Sequence, residues 1–286
     1  MLELKHFKEF QSKNDYDSYI NGSPILPNVS FVGQDKEVYY KNGKYVPPAP
    51  INPYSSMYLT AEITSSGTMY FTSPIYDFDE MQIFYKLNDN EWIELTGETD
   101  TSISVEVGDK IQFKGYNFDN SSHEGSDGYQ LFDYGTDCNF IIYGNIMSLV
   151  NGDDFVNLTT LTEKTKFNYI FENCETLVSA EHLVLPSTTL IEGCYEGMFV
   201  GCTSLVAAPE LPATTLADNC YSNMFEGCSS LSSIKCLATD ISATDCTLSW
   251  VQGVSENGTF TKASDADWSS KTGSNGIPSG WQVVEV

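Results

Sequence analysis

The chain reads as a multidomain protein in which a small α+β module precedes a β-sandwich and then an α/β solenoid. Three observations predict this. Tyr195–Cys220 and Tyr221–Cys246 are copies of one 26-residue unit, with Tyr, Met-Phe, Gly-Cys, Ser-Leu and a closing Cys at the same offsets. Residues 54–143 carry short runs of β-branched and aromatic residues between turn signals. Four prolines in Val46–Pro53 separate that body from residues 1–45, where charge is balanced.

Residues 1–45 form the N-terminal module. Phe7, Phe10 and Tyr16 recur at near-helical spacing, so His6–Ile20 is expected to be a helix stopped by Asn21-Gly22. Asn28–Val32 and Glu37–Tyr40 alternate around Gly33-Gln34-Asp35, which predicts a hairpin. So short a piece has little core of its own. It is expected to attach to a partner or to oligomerise with further copies. Residues 46–53 are then a stiff, extended linker.

Residues 54–143 carry candidate strands at Met57–Thr64, Thr68–Thr72, Met81–Leu87, Glu91–Leu95, Ser102–Val107, Lys110–Tyr116, Tyr129–Asp133 and Asn139–Tyr143. Asn88-Asp89-Asn90 and Gly108-Asp109 supply turns. Short strands at regular spacing predict an Ig-like sandwich. Asn117–Gly128 is polar and reads as an exposed loop. Tyr116, Tyr129 and Tyr134 flank it and are the candidate ligand-binding edge, because aromatic rings beside acids can hold sugars.

Residues 144–254 hold the repeats. An earlier copy, Tyr169–Cys194, keeps Phe171, Cys174, Leu177, Leu185, Pro186, Leu190 and Cys194. No single unit of such a repeat buries its apolar face without a neighbour. A helical projection of Leu216–Cys228 gathers Leu216, Cys220, Tyr221, Met224, Phe225 and Cys228 on one half, which predicts a helix. Thr214-Thr215 would cap its start, with Gly227 near its end. Ser230–Leu237 reads as a short strand, and one strand plus one helix per coil is leucine-rich-repeat geometry. The expected core is Phe171, Cys174, Leu177, Cys194, Met198, Phe199, Cys202, Leu205, Cys220, Met224, Phe225, Cys228, Leu231 and Cys246. Residues 255–286 break the period and read as a C-terminal cap, with Trp281 under the final coil.

Charge and cysteine usage narrow the function classes. The formal net charge is −25, and all 14 basic residues are lysine. Arginine is the preferred fork for phosphate and guanine, so nucleic acid is not an expected partner. No run of about 18 apolar residues predicts a membrane span, and the N-terminus shows no export signal. The cysteines recur at repeat-equivalent positions and no CxxC exists. Buried free thiols are therefore expected, ahead of disulfides or zinc.

The repeat core, Cys-Tyr-x-x-Met-Phe-x-Gly-Cys-[ST]-Ser-Leu…Leu-Pro-Ala-Thr-Thr-Leu, resembles the BspA-type leucine-rich repeats of gut Bacteroidetes surface proteins and of phages of those hosts. The likeness is close over Tyr195–Cys228 and departs at Ile234-Lys235-Cys236-Leu237. It implies adhesion or binding rather than catalysis. Tyr19-Ile20-Asn21-Gly22…Leu26-Pro27-Asn28-Val29-Ser30 is similar to short N-terminal modules of virion proteins from such phages. The resemblance thus implies a head or tail fibre or decoration at the virion surface. Residues 1–45 would contact other virion proteins or form a homo-oligomer, and the body would meet a bacterial surface, glycan or mucin. The alternative is a bacterial cell-surface adhesin.

No HExxH, GxSxG, Walker or GxGxxG motif is present, and no enzyme activity or cofactor is expected. Asp77, Asp79 and Glu80, and separately Asp153 and Asp154, are weak calcium candidates, since oxygen-rich turns suit that ion.

Overall fold

The computed structural model describes residues 31–32, 38–40, 43–44, 52–73, 81–96, 101–118, 129–163 and 166–286. The chain divides into two units, Met1–Asn52 and Pro53–Val286. In the first, β1 (Phe31–Val32), β2 (Val38–Tyr40) and β3 (Gly43–Lys44) pair antiparallel in that order. The expected helix His6–Ile20 lies outside the described residues.

The second unit is mostly β-structure with almost no helix. Its strands are β4 (Leu59–Ile63), β5 (Gly67–Phe71), β6 (Gln82–Leu87), β7 (Ile93–Glu94), β8 (Thr101–Val105), β9 (Lys110–Tyr116) and β10 (Phe140–Asn145). One helical turn, α1 (Ser148–Asn151), leads on to β11 (Leu177–Val184), β12 (Ala207–Leu211), β13 (Ser233–Cys236), β14 (Thr259–Lys262) and β15 (Gln282–Glu285). Ten of these strands form one sheet in the order β15-β14-β13-β12-β11-β10-β4-β9-β6-β7. The seam is β10, which pairs antiparallel with β4 and parallel with β11. The expected division between residues 143 and 144 falls inside this strand.

Residues 54–143 place strands in two sheets: β4, β6, β7, β9 and β10 in the ten-stranded sheet that the coils share, and β5 and β8 in a separate pair. Phe71 of β5 meets the large sheet at Phe113 (5.4 Å between centroids) and Tyr85 (5.1 Å). Tyr129–Asp133, expected as a strand, supplies a single bridge from Phe132 to Phe71.

The array is a β-solenoid of about four turns. The helix expected over Leu216–Cys228 is instead a chain of tight turns. Asn219, Asn223 and Gly227 have φ of 55°, 55° and 77°, as do their equivalents Gly193, Gly197 and Gly201 at 64°, 58° and 72°. A left-handed residue at every fourth position is incompatible with an α-helix, and Asn and Gly are the residues that adopt it readily. Backbone bonding follows the same alternation. Cys220, Ser222, Met224 and Glu226 donate back three residues within their coil. Tyr221, Asn223, Phe225 and Gly227 donate to Cys246, Leu248, Trp250 and Gln252 of the next coil, at 2.8–3.0 Å. Every amide in the run thus has an acceptor, which a buried backbone requires.

Two aromatic columns fill the interior. Phe167, Tyr195, Tyr221 and Trp250 stack at 6.2–6.3 Å, and Phe171, Phe199 and Phe225 at 5.4 and 5.6 Å. At one end Phe171 stacks on Phe132, which joins the coils to the core beneath β9. At the other end Trp250 stacks on Trp268 at 5.6 Å.

The array does not stop where the visible repeat does. Ser233–Cys236 pairs in parallel with Thr259–Lys262, the same 26-residue offset, so β14 belongs to a fourth coil rather than to a cap. That coil is disguised by compensation. Where the previous one has Tyr221, Met224 and Phe225, it has Thr247, Trp250 and Val251. The Trp250 ring reaches both columns, meeting Tyr221 and Phe225. Its Nε1–H donates to Gly276 O at 2.8 Å, and Thr247 Oγ1 donates to Asn275 O at 2.9 Å. Asn275 Oδ1 accepts from Ser249 N at 2.8 Å, and so a side chain takes the place of the carbonyl a fifth coil would offer. Trp281 is buried over Gly258 and donates to Ser255 O.

Candidate functional site

The fourteen expected repeat-core residues are all buried, at 0–5% exposure. The cysteines are free and buried, Cys138 included. Burial, the leading cause in each case, pushes the thiols of Cys194, Cys228 and Cys236 up to about 12 and that of Cys138 to about 11. Cys202 and Cys228 spend their S–H on Phe171 O and Phe199 O of the preceding coil, each at 3.0 Å. Protonated, enclosed thiols are poor nucleophiles and poor metal ligands. The interior cysteines serve as packing.

The three candidate tyrosines have separate fates. Tyr129 is a correction: it is 1% exposed, its ring lies edge-on to Phe118, and its hydroxyl donates to Thr72 O at 2.8 Å. The buried pair Leu131-Phe132 follows it two residues on, and the polar loop before it misleads. Tyr116 is half-buried at the end of β9, against Phe84 and over Gly152, where an added Cβ would fall 2.2 Å from its ring. Tyr134 is 65% exposed and is the only exposed Phe, Tyr or Trp among the described residues of 52–286.

Tyr134 borders a notch of about 180 Å³ between the turn after Phe132 and the first coil, lined also by Asp133, Thr136, Asn173, Glu175 and Thr176. The turn is pinned. Asp133 Oδ1 accepts from Gly135 N at 2.8 Å, Thr136 N donates to Asp133 O at 3.1 Å, and Thr136 Oγ1 accepts from Tyr70 N at 3.1 Å. On the opposite wall Asn173 is held in the left-handed conformation at φ 54° and donates its amide to Val200 O. No lysine lines the notch. It offers an aromatic ring, two carboxylates, an amide and two hydroxyls on a fixed frame. Sequence reasoning missed Asn173, Glu175 and Thr176, which sit between core positions Phe171 and Leu177 and carry no signal beyond polarity.

Asp77, Asp79 and Glu80 lie outside the described residues. Asp153 is engaged: Tyr58 Oη donates to it at 2.6 Å and Lys114 Nζ lies 3.0 Å away. Those contacts, Tyr58 first, hold its carboxyl below the usual carboxylate range. The Lys114 ammonium also sits 4.7 Å from the Trp92 ring. Asp154 is tied by backbone to Asn151. Among the described residues no group of three His, Cys, Asp or Glu side chains is set to hold a metal. His182 is exposed and stacked on Tyr54 at 4.5 Å. No helix among the described residues is long and apolar enough to cross a membrane.

Comparison with protein-family models, with curated proteins and with solved structures finds no match.

Proposed function

We propose that this protein is a non-enzymatic display protein that contacts a neutral glycan through the Tyr134 notch. The observation that carries the reading is the exposure of that one ring on a pinned, acceptor-lined frame, in a body whose other described aromatics are buried or half-buried. A sugar ring has an apolar C–H face that suits stacking and hydroxyls that donate to carboxylates and amides. The notch falls below the volume of common ligand pockets, roughly 300 Å³ upward, which fits a single pyranose unit and weak affinity. Many copies on one particle would turn weak contacts into avidity. The −25 charge disfavours anionic partners such as nucleic acid.

The BspA-type likeness of the repeat and the virion-like N-terminal segment support a fibre or decoration of a phage head or tail. In that setting residues 1–45 bind other virion proteins, and the Ig-like and leucine-rich-repeat readings of the body belong to the same proposal. The second reading, a bacterial cell-surface adhesin, shares the notch and differs in location. Saturation-transfer NMR with neutral oligosaccharides tests the contact. Enhanced transfer to pyranose protons, lost in Tyr134→Ala, supports it; equal signals from the two proteins reject it. Mass spectrometry of purified particles tests the location.

A further inference from the structure

The ten-stranded sheet has two edges, and they differ. One, β7, is two residues long. The other, β15, is four residues long and contains no Pro, Lys or bulge, the devices that usually blunt an edge. Gln282 N donates to Gly258 O and Val286 N to Lys262 O, so these residues face β14. Because N–H and C=O groups alternate in direction along a strand, those of Val283 and Glu285 point to the free edge.

The side chains agree. Val283 is the register neighbour of Phe260, which is fully buried, yet Val283 itself is 44% exposed. It borders a groove of about 580 Å³ whose apolar lining includes Trp268, Ile277 and Pro278. The strand is also a neutral window in an acidic chain. Gln282, Val283 and Val284 carry no charge, and Glu285 is neutralised by Lys262 Nζ at 2.7 Å.

We infer that β15 is a docking edge for β15 of a second copy, forming an antiparallel two-fold pair. Among the described residues β15 is the longer edge of the ten-stranded sheet, and a two-fold presents the same patch from both copies. One register uses every free-edge group. With the axis at Val284, Val283 of each copy exchanges both backbone bonds with Glu285 of the other, and no two carboxylates lie opposite. The two grooves then meet across the axis, each covered by the other copy's strand. This pairing is independent of the glycan notch, which lies at the opposite end of the coils.

The test uses the whole chain. Sedimentation should give twice the monomer mass, with association rising with salt because each copy carries −25. Val284→Cys should give a disulfide-linked dimer on a non-reducing gel. Non-hydrogen-bonded antiparallel partners sit about 4.5 Å apart at Cα, inside the disulfide range, and the eight native cysteines are all buried. Val283→Pro removes an N–H from the free edge only and should leave a folded monomer by circular dichroism. A wild-type monomer at every concentration overturns the inference. So does a dimer that survives Val283→Pro and leaves Val284→Cys unlinked, which would assign association to another surface. A Val284→Cys link with a dimer lost in Val283→Pro supports it whatever the glycan experiment gives.

Discussion

The ring of Tyr169 lies across Gly197 one coil further on: a Cβ added at Gly197 would sit 2.2 Å from Tyr169 Cε1. Both residues are left-handed, at φ 56° and 58°. The bulkier residue in that backbone state is accommodated because the one beneath it has no side chain. Its hydroxyl then reaches Glu196 Oε1 at 3.2 Å.

Gly197→Ala should therefore cost about 2–4 kcal/mol, combining left-handed strain with overpacking. Gly273→Ala is the control. It has φ 68° but nothing within 4 Å of the added carbon, so only the strain of about 1–2 kcal/mol applies. Urea unfolding of the two variants measures the difference, and equal losses would show that the Tyr169 contact is immaterial.

Trp250→Ala should be the most damaging single change in the coils, at about 3–5 kcal/mol. It removes a fully buried ring that touches both aromatic columns and Trp268, and a donor to Gly276 O. Thermal unfolding should show the fall, and amide exchange should show it centred on residues 245–286. An effect no larger than a surface substitution would contradict the continuous core.

Alkaline stability follows from the thiols. Their folded pKa values are raised, to about 12 for Cys194, Cys228 and Cys236. An unfolded thiol ionises near its ordinary value, about 8.5. Below that pH both states hold the proton and the contribution to stability is complete. Above it the unfolded chain loses protons that the folded chain keeps, and stability falls by about 1.4 kcal/mol per pH unit for each thiol until the folded value is reached. Denaturant titrations from pH 8 to 11 should show this steep decline. Cys194→Ala should make it shallower, even where it lowers stability at pH 7.

Tyr134→Ala and Tyr129→Phe should separate binding from folding. The first removes an exposed ring and should leave the melting temperature unchanged while abolishing sugar contact. The second deletes one buried bond to Thr72 O and should cost about 1 kcal/mol with contact retained. Paired melting curves and NMR binding measurements decide between them. A large stability loss in Tyr134→Ala would identify that ring as structural.

Much of the fold was legible because strands and core announce themselves by alternation and recurrence. The strands of 54–143 overlap the expected runs, with β5 and β8 starting one residue earlier and β10 ending two residues later, and Tyr129–Asp133 forms no strand. The helix was misread for a physical reason. Leu216, Cys220, Met224 and Cys228 recur every four residues, close enough to 3.6 for a helical projection to gather them over three turns. The discriminating signal was the other column, Gly193, Gly197 and Gly201 against Asn219, Asn223 and Gly227, whose residue types favour positive φ and disfavour a helix. The fourth coil hid because Thr247, Trp250 and Val251 conserve filled volume and not identity. The notch was half legible: an exposed tyrosine can be suspected from sequence, but which of three is exposed depends on contacts distant along the chain, Tyr129 with Thr72 and Tyr116 with Phe84 and Gly152.

The coil-to-coil bonds of the turn face all run the same way, from each coil's N–H groups to carbonyls of the next. Pulled along the solenoid axis, such a stack yields like a zip, one coil after another. Each released unit of 26 residues would lengthen the chain by roughly 90 Å at about 3.5 Å per residue. A tether built this way gives under load in discrete steps, and force-extension traces should show a sawtooth with that spacing.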